Sequence, residues 1–103
     1  MSTVKIKDLK PGMKNLTIEG LIIKKWDVPR LTKRLAKAIL RDETGEIILN
    51  LWREQADQVN VGDYIRVIEA FVKSYKGILE LNTWKDIIVM KKSDLANINA
   101  NIS

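Results

Sequence analysis

Alternation of apolar and polar residues dominates this chain and predicts a protein built mainly from β-strands. The clearest case is "EIILNLW", residues 46–52, in which the odd positions are aliphatic and the last residue is a tryptophan. Successive side chains of a strand point to opposite faces, so one parity is buried and the other is exposed. We therefore predict that Ile47, Leu49 and Leu51 face a core and that Trp52 faces outward.

Similar patterns predict four more strands and one short helix. The strands cover residues 15–26, 35–42, 64–75 and 78–84, and the helix covers residues 53–59. "DIIVM", residues 86–90, either adds a final strand or extends the strand before it.

Two positions qualify this scheme. Gly20 lies inside the first predicted strand; such a glycine marks a bulge or bend, which lets one strand belong to two sheets, as a small barrel requires. Residues 35–42 are also compatible with a helix, because Ala, Leu, Lys and Arg are good helix formers. We favour a strand there, because "DETG", residues 42–45, is typical of a hairpin turn.

The orientation of Phe71 depends on whether the fourth strand is regular. Strict alternation from Ile65 and Val67 puts Phe71 in the core. A bulge near residues 68–70 would instead turn it outward. In a regular strand Phe71, Lys73 and Tyr75 share one face, which would combine two rings with a cation.

The order of elements is three strands, a short helix and two strands, joined by tight turns. It predicts an all-β fold, namely a five-stranded OB-fold barrel with a short helix between strands 3 and 4. We assign this OB-fold domain to residues 1–90. The polar residues 91–103, rich in Asn and Ser, are interpreted as a disordered tail.

Composition removes many classes of function. The 103 residues suggest one domain and include neither cysteine nor histidine. Disulfides, thiolate zinc sites and cysteine nucleophiles are thereby excluded, and the usual acid–base side chain is missing. Asp42 and Glu43 are adjacent, but in a turn their carboxylates point apart. We therefore expect no enzyme activity, no metal site and no cofactor.

The sequence also bears on location. No apolar run approaches the roughly 20 residues that a membrane-spanning helix needs, and the N-terminus "MSTVKIKDLKPGM" lacks the apolar segment of a signal peptide. We expect a soluble, cytoplasmic protein with no membrane partner.

The net charge of +5 is concentrated in one segment. Residues 24–41 contain seven basic residues and one acidic residue, a net charge of +6, whereas the rest of the chain contains 11 basic and 12 acidic residues, a net charge of −1. A local field of this kind attracts polyanions. The alternative is a solvated, lysine-rich surface without a binding role.

Four segments carry a resemblance to a known family. "DLKPGM", "AILRDETGEIILNLW", "VGDYIRV" and "KGILELN" resemble the OB-fold domain of archaeal single-stranded DNA-binding proteins, which is similar to a DNA-binding domain of replication protein A. The resemblance covers roughly residues 5–90. It implies that bases stack on Trp52, Phe71 and Tyr75, with weaker stacking at Phe71, where the family often has Trp. It also implies a role in replication and repair, with association to the nucleoid and to replication or repair proteins.

Other candidates follow from position alone. Trp26 ends the first strand beside the basic loop and is either a further stacking residue or a residue that closes the barrel. We interpret Trp84 as structural, because it lies past the last hairpin strand. The predicted phosphate contacts are basic residues in or near the predicted groove: Arg30, Lys33, Arg34, Lys37, Arg41, Arg53, Lys73 and Lys76.

These observations lead to one prediction and two alternatives. The prediction is a monomer that binds single-stranded DNA with little sequence preference, by a basic groove and stacking aromatics. The first alternative is a single-stranded RNA binder of the same fold, since stacking does not distinguish the sugars. The second is an OB-type protein-interaction module of a multi-subunit complex, in which the aromatics anchor a peptide.

Overall fold

The computed structural model describes residues 3–29 and 34–90. A 3-10 turn at Ile6–Asp8 precedes the strands β1 (Leu16–Asp27), β2 (Leu35–Asp42) and β3 (Gly45–Trp52). The helix α1 (Gln55–Gln58) and the strands β4 (Tyr64–Tyr75), β5 (Ile78–Asn82) and β6 (Ile88–Val89) follow. The all-β prediction and the helix between β3 and β4 are confirmed, and residues 35–42 form a strand rather than a helix.

The sheet closes on itself. Its strand order is β1-β2-β3-β5-β4-β6, and β1 also pairs with β4. The pairing of β3 with β5 is parallel and the others are antiparallel. Five strands therefore form the closed OB-fold sheet, and "DIIVM" supplies a short sixth strand that pairs with the start of β4.

Alternating residues of the strands fill the core. On β3 the predicted parity holds, because Leu49 and Leu51 are fully buried and Ile47 is 6% exposed. The same holds on β2, where Ala36, Ala38 and Leu40 are fully buried. The small alanines fit the interior of a narrow barrel, which leaves the odd positions of β2 on the outer surface.

β1 belongs to two halves of the sheet, as its length predicts. Its residues 16–21 pair with β4, and its residues 21–27 pair with β2. Gly20 lies at this changeover, and a Cβ atom there would be 2.5 Å from the carbonyl oxygen of Arg41. The register shift itself lies slightly further on, between Ile22 and Lys24. The glycine thus permits close approach of β2, and the bulge follows it.

A bulge in β4 decides the orientation of Phe71. The register against β1 shifts between the pairs Leu16–Ala70 and Ile18–Val67, and Glu69 has a φ of 49°. Two residues of β1 therefore oppose three of β4, so the buried parity changes from odd to even. The second of the two expectations is confirmed, and Phe71 lies outside the barrel core.

The β2–β3 hairpin is held by Asp42. Its carboxylate accepts hydrogen bonds from the backbone N–H groups of Thr44 (2.7 Å), Gly45 (3.1 Å) and Ile6 (2.8 Å). Burial opposes its ionisation, but these bonds and the Thr44 hydroxyl outweigh burial and lower the pKa of Asp42. Glu43 points elsewhere and pairs with Lys5. The two adjacent carboxylates therefore point apart, as expected for turn residues.

The part of the chain that the structure describes, residues 3–29 and 34–90, contains no helix long and apolar enough to cross a bilayer.

Candidate nucleic-acid interface

One surface of the closed sheet gathers most of the candidate residues. We call it the outer face: the side of β2, β3, β5 and the ends of β1 and β4 that points away from the core. The strand registers bring these side chains together there: Trp26, Lys37, Ile39, Ile48, Asn50, Trp52, Phe71, Lys73, Tyr75, Ile78, Glu80 and Asn82.

All four predicted stacking residues lie on the outer face. Trp26 is opposite Lys37 in the β1–β2 ladder, whereas Phe71 and Tyr75 are opposite Asn82 and Ile78 in the β4–β5 ladder. Trp26, Trp52 and Phe71 are half-buried, and Tyr75 is 61% exposed. The rings thus span the face from β1 to β4.

Lysine ammonium groups lie close to three of these rings. The Nζ atom of Lys24 is 5.7 Å from the ring centroid of Trp26, that of Lys73 is 5.7 Å from Phe71, and that of Lys76 is 5.4 Å from Tyr75. These distances fall within the range of cation–π attraction. Rings and cations therefore alternate, an arrangement suited to the bases and phosphates of one strand.

A polar network occupies the centre of the outer face. Lys37 donates to Asn50 Oδ1 and to Glu80 Oε2, each at 2.8 Å. Asn50 Nδ2 in turn donates to Glu80 Oε1 (3.0 Å) and to Asn82 Oδ1 (3.1 Å). The indole Nε1 of Trp52 also donates to Asn82 Oδ1, at 3.3 Å. This network fixes the edge of the Trp52 ring and joins three strands.

Glu80 is ionised within this network. Burial opposes the charge of its carboxylate, but hydrogen bonds from Lys37 and Asn50, with the charge of Lys37, outweigh burial and hold the pKa of Glu80 below its usual range. Its side chain is 14% exposed and that of Lys37 is 21% exposed. The centre of the face therefore has a compensated ion pair rather than a free cation.

The predicted phosphate contacts fall into three groups. Arg30 and Lys33 lie outside the described residues. Arg34, Lys37 and Arg41 are ion-paired with Asp57, Glu80 and Glu46. Within residues 3–29 and 34–90, Arg53, Lys73 and Lys76 have no acidic partner.

The ion pairs change the electrostatic picture drawn from the sequence. The three acids come from β3, α1 and β5, outside the segment 24–41 with its charge of +6. Lys25 is also committed, because its Nζ atom donates to the carbonyl oxygens of Ala56 and Val59. Folding therefore offsets much of the basic excess of this segment, and two of the described cations without an acidic partner, Lys73 and Lys76, lie on β4 and its turn.

The ring of Trp84, for which we predicted a structural role, lies outside the core. Its side chain is 79% exposed, and its ring contacts only that of Phe71 among the aromatic rings described, with centroids 5.5 Å apart and planes inclined by 36°. It borders two clefts. One is shared with Trp52, Arg53 and Gln55, and the other with Phe71, Lys14 and Lys73.

Strand alternation did not predict the hydrogen-bonded network of Asn50, Glu80 and Asn82, although the sequence contains a signal for it. The motif Leu-Asn-x-Trp occurs twice, as "LNLW" at residues 49–52 and "LNTW" at residues 81–84. β3 and β5 pair in parallel with Leu49 opposite Leu81. Asn50 and Asn82 consequently become neighbours and hydrogen-bond to each other.

Comparison with known proteins identifies the family of the chain. A family model described as the OB-fold nucleic acid binding domain (tRNA anti-codon) matches residues 16–87. This range runs from the start of β1 to the segment before β6 and thus includes the whole closed sheet.

Individual relatives agree with this match. The single-stranded DNA binding protein Ssb of Saccharolobus solfataricus is 23% identical over 95 residues, which cover 87% of this chain and 64% of that protein. This chain therefore spans less than two thirds of that relative's length.

Solved structures show the same fold. A domain of replication protein A from Methanococcus maripaludis is 31% identical, with a TM-score of 0.70 over 89% of this chain and 99% of that domain. Pot1pC of Schizosaccharomyces pombe, solved bound to single-stranded DNA, has a TM-score of 0.65 over 99% of this chain and 97% of its own, and at 15% identity it shows the fold alone. The chain therefore belongs to the family of OB-fold nucleic acid binding domains and is related to archaeal single-stranded DNA-binding proteins and replication protein A.

Proposed function

We propose that this protein binds single-stranded DNA through the outer face, with little sequence preference. The observation that carries the proposal is the position of Trp52 and Phe71 on either side of one residue. Asn82 accepts a hydrogen bond from the Trp52 indole and is opposite Phe71 in the β4–β5 ladder. Two half-buried rings, on the strands β3 and β4 that flank β5, thus present stacking surfaces for successive bases of one DNA strand.

The arrangement of charge supports a sugar–phosphate path along β4. Lys73 and Lys76 lie over the rings of Phe71 and Tyr75 and have no acidic partner among the described residues. A phosphate next to a stacked base would meet these ammonium groups. Arg53 follows Trp52 directly and offers a further cation at the end of β3.

Limited sequence preference follows from the polar network. The side-chain groups of Asn50, Asn82 and Glu80 hydrogen-bond mainly to one another and to Lys37, so few remain to read base edges. Stacking itself tolerates any base, because every base has a π-face. The relatives named above are single-stranded DNA-binding and replication proteins. We therefore infer a role in protecting single strands during replication and repair, carried out by a monomer in the cytoplasm beside DNA and replication proteins.

Two ring substitutions test this proposal. Trp52→Ala and Phe71→Ala should each weaken binding to a thymine oligomer by about 1–3 kcal/mol, the usual contribution of one stacked base. The affinity is measured by fluorescence anisotropy of a labelled oligomer, and circular dichroism verifies the fold of each variant. Val61→Ala is the control. Val61 is 58% exposed and lies in the segment between α1 and β4. Unchanged affinity in both folded ring variants would remove the outer face from the function.

A second candidate function is the recognition of a peptide. Its support is an apolar cleft at the hairpin end of the same face, lined by Ile39, Ile48, Ile78 and Leu79. Nucleic-acid binding weakens as salt rises, because counterions are released from phosphates. The peptide function instead predicts no affinity for any oligonucleotide at low salt. An RNA oligomer of the same sequence, titrated in parallel, measures the preference for the sugar.

A further inference from the structure

The indole ring of Trp84 is exposed to solvent, whereas the backbone on either side of it is held by hydrogen bonds. The Gln55 side chain, which is 7% exposed, donates 2.8 Å hydrogen bonds to the carbonyl oxygens of Thr83 and Lys85, on either side of Trp84. The Thr83 hydroxyl donates to the carbonyl oxygen of Ile68 at 2.6 Å and accepts from the Lys85 N–H. The ring is therefore exposed without its backbone being loose.

The same glutamine also holds Trp52. Gln55 Oε1 accepts a 2.9 Å hydrogen bond from the backbone N–H of Trp52. The two tryptophans end the two Leu-Asn-x-Trp motifs, whose leucines are paired in the parallel β3–β5 ladder. Trp84 therefore holds the same place in the second motif as Trp52 in the first, just beyond the end of β5, and the pair lines one cleft.

Trp84 borders two clefts, and the charged residues around them favour only one of the two as a nucleotide site. The cleft shared with Trp52 contains the carboxylates of Glu54 and Asp86 beside Arg53, and these acids would repel a phosphate. The other cleft has a volume of about 570 Å³ and is lined by the rings of Phe71 and Trp84 and the aliphatic Val72. Its rim has three lysines and one acid: Lys14, Lys73, Lys85 and Glu69.

We propose that Trp84 is an additional base-stacking residue and that the cleft between Phe71 and Trp84 binds one unpaired nucleobase of the DNA strand. In the free protein the two rings are tilted and 5.5 Å apart between centroids, within the range of favourable aromatic pairs. A base entering the cleft stacks on the exposed indole and places its phosphate near Lys14 and Lys73. The track then runs from Trp52 past Trp84 to Phe71. This inference rests on the proposed function and adds a nucleotide to its site.

The test compares binding across oligomer length. Trp84→Ala should reduce affinity for a long thymine oligomer about fivefold or more, the lower end of what one stacked base contributes. It should also shorten the oligomer at which affinity reaches its plateau. Trp84→Phe, which keeps a ring for a base to stack on, should restore most of the affinity, whereas a change in stability alone would not alter the oligomer length at the plateau. Val61→Ala again serves as the control for loss of an exposed apolar side chain.

A direct readout comes from the fluorescence of Trp84 itself. In the double variant Trp26→Phe and Trp52→Phe, Trp84 is the only tryptophan that remains. Saturating thymine oligomer should quench its emission and protect it from iodide.

The outcomes separate the two proposals. If Trp52→Ala weakens binding but Trp84→Ala matches wild type at every length, the inference fails and the proposed function stands. If the wild-type protein does not bind single strands, the proposed function fails and this inference fails with it. Unquenched Trp84 emission at saturation would also overturn the inference.

Discussion

At the residue scale, Glu80 is the unexpected feature of the outer face. A carboxylate at the centre of the proposed DNA-binding surface would oppose binding, yet here it is ionised and largely buried. It orders Lys37 and Asn50, and Asn50 donates to Asn82, whose Oδ1 accepts the hydrogen bond from the Trp52 indole. The network therefore neutralises Lys37, one of the cations of the outer face, and fixes the orientation of the Trp52 ring.

Substitution of Glu80 by Gln should strengthen binding to single-stranded DNA. The change removes one negative charge and releases Lys37 from its ion pair, so the affinity should rise about fivefold at low salt, or ~1 kcal/mol for one charge interaction near 4 Å in water. The dependence of log K on log salt should also steepen by about 0.7 if Lys37 then contacts a phosphate. Anisotropy titrations at several salt concentrations measure both quantities.

Glu19→Gln is the matched control for this change. It removes the same charge, but Glu19 pairs with Arg66 on the β1–β4 seam, away from the outer face. Equal effects of the two substitutions would mean that only net charge matters. Weaker binding by Glu80→Gln would show that the ordered network contributes more than its negative charge costs.

At the scale of elements, the long strand β1 determines how the sheet closes. It pairs with β4 along its first half and with β2 along its second, and the changeover lies at Gly20 and Leu21. The backbone of β2 approaches so closely there that no side chain fits at residue 20.

Gly20→Ala should therefore destabilise the fold. A Cβ atom would lie 2.5 Å from the Arg41 carbonyl oxygen, and relieving such overpacking typically costs about 1–3 kcal/mol. Gly45→Ala is the control, because a Cβ there lies 3.8 Å from its nearest neighbour, an ordinary contact, and the free energy of unfolding should change by about 0.5 kcal/mol or less. Urea denaturation measures both variants. Equal stabilities would contradict the close approach of β1 and β2.

At the scale of the whole molecule, strand identity and the outward direction of Trp52 could be predicted from the sequence. Both follow from period-two alternation, which is a local property of "EIILNLW" and "LAKAILRD". The orientation of Phe71 could only be stated as two alternatives, because the bulge at Glu69 depends on pairing with a distant strand.

The ion pairing of the basic residues and the exposure of Trp84 could not be predicted from the sequence in this way. The acids that pair with Arg34, Lys37 and Arg41 lie 23, 43 and 5 positions away, so counting charge within a segment overestimates the free positive field. Trp84 lies two residues beyond the end of β5, where strand alternation no longer applies. The backbone around it is held by hydrogen bonds of Gln55 and Thr83 to residues that only the folded chain brings together.

The most direct test of the account is a tryptophan-fluorescence titration of the wild-type protein. A thymine oligomer and a duplex of equal length are added separately, each at two salt concentrations. Binding through the outer face predicts strong quenching by the single strand alone, with an affinity that falls as salt rises, because the rings would stack on bases and the lysines would contact phosphates. No response to the single strand at low salt, or equal quenching by the duplex, would contradict it.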